Sequence, residues 1–165
     1  MFDPTRAASI VAATMLAFTA AANASAPAVE GDLEETTCYV LRATFLGDVE
    51  GHTAASYDAV GTPARSAGQL GYRANLHCIG LVVASGSESG NRGACVMADP
   101  DGDRVFTVYS GGESGPGVWR ATGGTGKYQR IQAEGTFEEA YRPDVAAASG
   151  PVQYCTRESA RWKLR

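Results

Sequence analysis

This chain has no clusters of basic residues and, after residue 26, no long apolar run. Its 18 acidic residues outnumber the 14 lysines and arginines, which gives a formal net charge of -4. Because nucleic acids and anionic membrane surfaces are bound by basic patches, we expect neither to be a partner. A sustained 3.6-residue apolar period is also missing beyond residue 26, which argues against a helical domain.

Three segments of the sequence resemble a cofactor-binding, catalytic or metal-binding motif, but each lacks a residue that the motif requires. Residues 123–127 (Gly-Gly-Thr-Gly-Lys) look like a phosphate loop, but Ala121 and Tyr128 replace the Gly and the Ser or Thr of a Walker motif. Residues 86–90 have glutamate where a nucleophile elbow needs serine. Residues 99–103 alternate carboxylates as a calcium loop does, yet the glycine comes at the fourth position instead of the sixth. We therefore expect no cofactor and no bound metal.

The first 26 residues have the pattern of a secretory signal peptide. Arg6 supplies a positive charge, residues 7–22 are almost all small or apolar, and Ala24 and Ala26 end Ala-x-Ala cleavage sites. A membrane anchor is the alternative, but the apolar run is shorter than the roughly 20 residues that a span needs. We expect cleavage, no membrane span in the mature chain, and a periplasmic or secreted protein.

All four cysteines and all 20 glycines lie beyond residue 26. An even number of cysteines in an oxidising compartment predicts two disulfides. The rival is a zinc site that includes His52 or His77, but no Cys-x-x-Cys spacing supports it.

Glycine at this density interrupts helices, and short runs between the glycines alternate in polarity. We predict strands near 36–46, 50–58, 69–83, 92–98, 103–110, 117–122, 130–142 and 152–164. Eight short strands at regular spacing imply a sandwich or a closed barrel. Residues 27–35 are predicted to be a flexible lead-in to a single domain at 36–165, and residues 85–93 a flexible loop.

Residues 123–128 (Gly-Gly-Thr-Gly-Lys-Tyr), followed by an alternating strand with a central glycine at 129–138, resemble the late hairpin of the allene oxide cyclase and dirigent barrels. The resemblance implies an all-β, eight-stranded, antiparallel closed barrel of the calycin-like type, in a secreted bacterial member. Members of the family guide or perform cyclisations of apolar intermediates. The residues carried over are those that shape the turn, Gly123, Gly124, Thr125 and Gly126. Dirigent proteins also join a cysteine near the first strand to one near the C-terminus, which implies a Cys38–Cys155 disulfide here.

Side-chain alternation is consistent with that pairing, because successive side chains of a strand face opposite sides. Cys155 lies on the polar face of the last strand and Cys38 on the more polar face of the first, so both are predicted to point outward. That leaves Cys78 to pair with Cys95, which is close in sequence. The inward faces are then Tyr39, Leu41, Ala43 and Phe45 in the first strand, and Tyr154, Thr156, Glu158, Ala160, Trp162 and Leu164 in the last.

Charged groups on the predicted inward faces are the candidate site. Glu158 lies among apolar neighbours, and the same alternation turns Glu139 inward in the seventh strand. If Cys78 also faces outward, Arg73 and His77 face inward. Glu158 and Glu139 would then exchange protons, while Arg73 and His77 hold or polarise a ligand oxygen. The candidate aromatic platform for a ligand is Tyr39, Phe45, Phe137, Tyr141, Tyr154 and Trp162.

These residues support an isomerase or cyclase-type enzyme that acts on a small apolar molecule in the lumen. Three alternatives remain open. The charges could lie at wet barrel rims without a function. The same cavity could carry a small hydrophobic ligand without catalysis. The barrel could instead bind or inhibit a protein through loops 85–93 and 111–117. A homo-oligomer is compatible with each of them.

Overall fold

The computed structural model of this protein describes residues 29–66, 68–111, 115–141 and 150–165. The predicted signal peptide at 1–26 lies outside these ranges. Within them, no helix is long and apolar enough to cross a membrane. The described residues form strands β1 (Glu30–Val49), β2 (His52–Pro63), β3 (Asn75–Ser85), β4 (Glu88–Ala98), β5 (Arg104–Gly111), β6 (Gly117–Gly124), β7 (Gln132–Tyr141) and β8 (Val152–Lys163), with a 3-10 helix (Gly126–Tyr128) between β6 and β7.

Each strand is antiparallel to its neighbours, and the sheet closes because β1 pairs with β8 as well as with β2. The great length of β1 makes this closure possible. Its part from Glu30 to Leu41 pairs with β8, and its part from Thr37 to Val49 pairs with β2. The predicted eight-stranded antiparallel closed barrel is confirmed.

Both predicted disulfides are confirmed. Cys38–Cys155 joins β1 to β8, and Cys78–Cys95 joins β3 to β4. Cys38 is exposed on the outer face, as predicted. Cys78, in contrast, is only 5% exposed and packs with Tyr39 in the core, so its predicted outward orientation is wrong.

The first strand begins earlier than predicted. Residues 30–35, for which we predict a flexible lead-in, instead belong to β1 and pair with β8. Leu33, Glu35 and Thr37 are buried while their neighbours are exposed, so the period-two alternation of a strand extends back to this segment.

Two other predicted boundaries are also wrong. Residues 69–74 form turns instead of the start of a strand, because Gly71 and Arg73 have positive φ angles of 67° and 59°. The predicted loop at 85–93 is a tight hairpin, in which only Gly86 and Ser87 separate β3 from β4. Gly86 has a φ of 61°, which suits the first central position of such a turn.

One end of the barrel is filled by apolar side chains. The segment that follows β2 folds into this end, where Leu70 and Ala74 are buried. Tyr128 of the 3-10 helix enters the same cluster. The other buried members are Leu33, Met97, Val105, Ile131, Ala133, Ala160 and Trp162. The packing closes this end of the lumen and provides a floor for the space above it.

Candidate functional site

A cavity occupies the lumen beyond this floor, and all eight strands contribute to its wall. Its volume is about 780 Å³ counted out to the open mouth, and the centre of a water molecule can move through about 90 Å³ of it. One water needs roughly 10–15 Å³ by the second measure, so the cavity has room for a small organic molecule. The wall is mostly apolar, and its polar side chains are Tyr39, Tyr57, Arg65, Asn91, Thr107, Tyr109, Trp119, Tyr154, Thr156 and Glu158.

Glu158 of β8 places a carboxyl group in this wall, where the residue is 8% exposed. Its Oε1 accepts hydrogen bonds from the Tyr39 hydroxyl at 3.3 Å and from Thr156 Oγ1 at 3.2 Å. Burial raises the pKa of the Glu158 carboxyl, the Glu35 carboxylate raises it further, and Arg65 and the two hydrogen bonds offset only part of the rise. This environment therefore stabilises the protonated form of the carboxyl group relative to a glutamate in water.

A buried ion pair lies beside Glu158. Arg65 donates from Nε to Glu35 Oε2 and from Nη2 to Glu35 Oε1, the latter at 2.5 Å. The two side chains are 4% and 1% exposed. Arg65 Nη1 donates to the Leu70 carbonyl oxygen at 2.6 Å and lies 3.0 Å from Met97 Sδ. The guanidinium is therefore fixed by Glu35 and by the filled end of the barrel.

The strand register explains why these groups meet. Glu35 and Glu158 are directly opposite each other in the β1–β8 pairing, a position at which like charges destabilise a sheet. Thr37 is opposite Pro63 in the β1–β2 pairing, so continuing that register by two residues brings Arg65 opposite Glu35. One guanidinium neutralises one of the two adjacent carboxyl groups, and a proton on the other removes the remaining repulsion.

Four tyrosine hydroxyls are among the other polar groups of the wall. The Tyr57 and Tyr109 hydroxyls hydrogen-bond to each other, and Tyr57 also donates to Asn91 Oδ1 at 2.6 Å. The rings of Tyr39 and Tyr154 stack with their centroids 5.6 Å apart. Burial raises the pKa of Tyr39, Tyr57 and Tyr109, so these hydroxyls stay neutral and can donate hydrogen bonds.

Two glycines facing the lumen make room for these rings. A Cβ at Gly80 would collide with the hydroxyls of Tyr57 and Tyr109. A Cβ at Gly93 would collide with the Tyr109 hydroxyl and with the carbonyl oxygen of Ile79. The tyrosine pair therefore depends on the absence of a side chain at both positions.

The Trp119 indole N–H is a hydrogen-bond donor that none of the described residues uses. Its indole Nε1 is buried and has no hydrogen-bond partner among the residues that the structure describes. The Trp119 side chain lines the cavity. A buried donor without a partner costs about 1–3 kcal/mol, so an acceptor atom of a ligand at Nε1 would offset that cost.

The predicted aromatic platform is only partly in the cavity. Tyr39, Phe137 and Tyr154 line it, whereas Trp162 is buried in the filled end. Phe45 and Tyr141 are not part of the cavity wall, and they are 64% and 54% exposed.

Strand geometry explains both exposed aromatics. Phe45 lies beyond Leu41, where the pairing of β1 with β8 ends, so no β8 residue packs beside it. Tyr141 follows a register shift in β7 and comes opposite the outward-facing Cys155.

The predicted catalytic partners of Glu158 also lie outside the cavity. His77 faces outward, with its Nε2 2.8 Å from Asp58 Oδ2, because the inward position next to it belongs to Cys78. Arg73 is exposed in the turn before β3. Glu139 is exposed near the end of β7 and is not among the residues of the cavity wall. Of the four charged residues predicted to meet in the lumen, the cavity wall therefore contains Glu158 and none of the other three.

Sequence reasoning missed Glu35 and Arg65. Glu35 fell in the supposed lead-in, and Arg65 lies in a segment without periodicity after β2. The alternation of Leu33, Glu35 and Thr37 with exposed residues is the signal that could have revealed Glu35.

Comparisons with known proteins show the fold and not the family. No protein-family model matches this chain, and no curated protein matches its sequence. The fold is similar to that of the pterocarpan synthase dirigent protein PsPTS1, with a TM-score of 0.53 and 15% identity over 82% of this chain and 96% of that one. It is also similar to that of the pterocarpan synthase dirigent protein GePTS1, with a TM-score of 0.51 and 15% identity over 82% of this chain and 91% of that one. The barrel is therefore dirigent-like.

Proposed function

We propose that this protein takes a small, largely apolar molecule into the barrel lumen and isomerises or cyclises it, with Glu158 as proton donor and acceptor. The observation that carries this proposal is a buried carboxyl group, without an ion pair among the described residues, in the wall of an open and mostly apolar cavity. Titratable groups with perturbed pKa values in clefts concentrate where chemistry occurs.

An isomerisation needs only one such group. Protonated Glu158 gives its proton to an oxygen or an unsaturated carbon of the substrate, and the resulting carboxylate takes a proton back when a ring closes or a double bond moves. Substrate and product have the same composition, so no oxidant, reductant or co-reactant is consumed. Tyr39 and Thr156 both donate to Oε1, which orients the carboxyl group and leaves Oε2 for the substrate.

Two further observations support the proposal. Both similar structures are named as pterocarpan synthase dirigent proteins, which supports small-molecule chemistry in a barrel of this shape. The two disulfides support folding in an oxidising compartment, as the predicted signal peptide at 1–26 requires.

The test uses the mass balance of isomerisation. Small-molecule extract from the producing cells is incubated with the mature protein, with Glu158→Gln, or with Glu138→Gln, an exposed control whose carboxylate pairs with Arg157 on the outer face. We expect the wild type and Glu138→Gln to convert one compound into another of identical mass and different retention time. Glu158→Gln should lose this conversion by about 100-fold or more. Equal conversion by all three proteins contradicts the role of Glu158.

A non-catalytic carrier is the second candidate, favoured by the mostly apolar wall of the cavity. Native mass spectrometry of protein purified from the producing cells separates the two functions. A compound retained in the lumen without any isobaric conversion supports the carrier. If no compound is retained and no compound is converted, a small-molecule function of either kind is contradicted.

A further inference from the structure

We propose that the Glu35–Arg65 ion pair makes the lumen selective for uncharged ligands, because it occupies the guanidinium that would otherwise bind an anion. The inference rests on the proposed function, since it concerns the ligand of the same cavity. It adds two specificity-determining residues and a chemical class of ligand: an uncharged, largely apolar molecule with a carbonyl, ether or hydroxyl oxygen.

Arg65 is the only basic residue among the described residues of the cavity wall. An uncommitted guanidinium in an apolar cavity would bind carboxylates or phosphates through two parallel N–H groups. Glu35 already satisfies that bidentate geometry from within the wall. The Leu70 carbonyl oxygen and Met97 Sδ hold Nη1, so the guanidinium cannot turn towards a ligand without breaking contacts at the barrel floor.

The groups packed around Glu158 complete the charge balance. Glu35 and Tyr39 face it from β1, Phe137 from β7, and Thr156 from β8 itself. Among these groups, only Glu35, Arg65 and Glu158 can carry a charge. Their net charge is zero when Glu158 holds a proton and -1 when it does not. Neither state offers a positive charge to an anionic ligand.

The donors that remain in the wall suit an uncharged oxygen. The Trp119 indole N–H has no protein acceptor among the described residues, and a protonated Glu158 offers an O–H. The Glu158 O–H can donate to a carbonyl, ether or hydroxyl oxygen without moving a charge out of water. A bound ion, in contrast, would lose its hydration in an apolar cavity without gaining a partner.

The first experiment compares three probes of one shape at pH 7: 1-naphthol, which is neutral, 1-naphthoate and 1-naphthylmethylammonium. Calorimetric titration of the mature protein should show that naphthol binds more than about tenfold tighter than either ion. Equal or tighter binding of either ion overturns the inference. Failure of all three to bind contradicts the small-molecule lumen itself, and with it the proposed function.

The second experiment isolates the ion pair. In a Glu158→Gln background, where the neighbouring carboxyl group cannot pair with Arg65 instead, Glu35→Gln removes the charge that occupies Arg65, so affinity for naphthoate should rise by about tenfold or more. Adding Arg65→Met to this variant also removes the guanidinium and should lose that gain. Naphthol affinity reports whether the lumen is intact in each variant, and near-ultraviolet circular dichroism reports the fold. Naphthol binding with no gain for naphthoate from Glu35→Gln in this background overturns the role of the pair and leaves the proposed function standing.

Discussion

Replacing Arg65 by methionine should be one of the most destabilising single changes in this barrel. Methionine keeps an apolar stem but leaves Glu35 buried without a partner and the Leu70 carbonyl oxygen without its donor. Removing one member of a buried ion pair costs about 3–5 kcal/mol, and an orphaned buried acceptor costs about 1–3 kcal/mol. These terms overlap, so we expect a loss of about 4 kcal/mol, which is large against a total stability of about 5–15 kcal/mol.

The loss in Arg65→Met should depend on pH. Glu35 and Glu158 are opposite each other, and without the guanidinium the folded variant must keep protons that the unfolded chain releases as pH rises. Since the folded state then binds more protons than the unfolded state, the free energy of unfolding falls as pH increases. The destabilisation should therefore be greater at pH 8 than at pH 5.

The assay is urea unfolding of the oxidised protein, followed by tryptophan fluorescence at both pH values. Arg161→Met is the matched control, since Arg161 pairs with Asp32 at 3.6 Å on the exposed surface and should contribute less than about 1 kcal/mol. Glu35→Gln/Arg65→Met should recover most of the loss because it removes the unpaired charge. A loss below about 1 kcal/mol in Arg65→Met, or one of equal size at pH 5 and pH 8, refutes the reasoning.

Three further outcomes are expected. In the wild type, the raised pKa of Glu158 contributes stability that is present below the ordinary pKa of 4.5 and is lost as pH rises through the pKa of the folded state. Thermal melts should therefore show Glu158→Gln gaining stability relative to the wild type from pH 4 to pH 8. A stability difference that stays constant with pH counts against a raised pKa of Glu158. Dithiothreitol should reduce Cys38–Cys155 before Cys78–Cys95 by attack at Cys38, because Cys38 is the one exposed cysteine, whereas Cys155 and Cys78 are both buried and Cys95 is half-buried. Alkylation with peptide mapping would show the reverse order if the inner bridge were accessible. Gly93→Ala should lower the free energy of unfolding by about 1–3 kcal/mol because the new methyl group displaces Tyr109. Gly90→Ala in the same strand is the control and should cost less, because its Cβ would meet only the Gly111 carbonyl oxygen at 3.3 Å. Similar losses for both variants in urea unfolding would show that the lumen has room at Gly93.

Strong alternation made β8 predictable. Charged and polar residues occupy one face of this strand and larger apolar residues the other, so the inward positions of Glu158, Tyr154 and Trp162 and the outward Cys155 followed directly. The pairing of Cys38 with Cys155 came with the resemblance to dirigent barrels, and the matched parities agreed with it.

Weak alternation made β3 misleading. Both of its faces carry apolar side chains, and Ile79 is exposed on the outer surface while Cys78 is buried. Hydrophobicity alone therefore could not say which face turns inward, and the assignment of His77 to the lumen followed the wrong choice. A barrel with apolar residues on its outside removes the signal on which such an assignment depends.

Arg65 could not be placed from local sequence. It lies outside any strand, and its position follows from the register between β1 and β2, which pairs residues far apart in the chain. The guanidinium that partly offsets the raised pKa of Glu158 is therefore a tertiary feature. Glu35 differs, because its alternation with Leu33 and Thr37 was readable once β1 was extended.

The most direct test of the central claim is the protonation state of Glu158 in the folded protein. Carbon-13 labelling of glutamate carboxyl groups, with Glu158 assigned by the signal missing from Glu158→Gln, gives its titration curve by nuclear magnetic resonance. The account predicts that this signal titrates above the ordinary glutamate value of 4.5, apart from the exposed glutamates. A Glu158 signal that titrates near 4.5, together with the exposed glutamates, would contradict the claim.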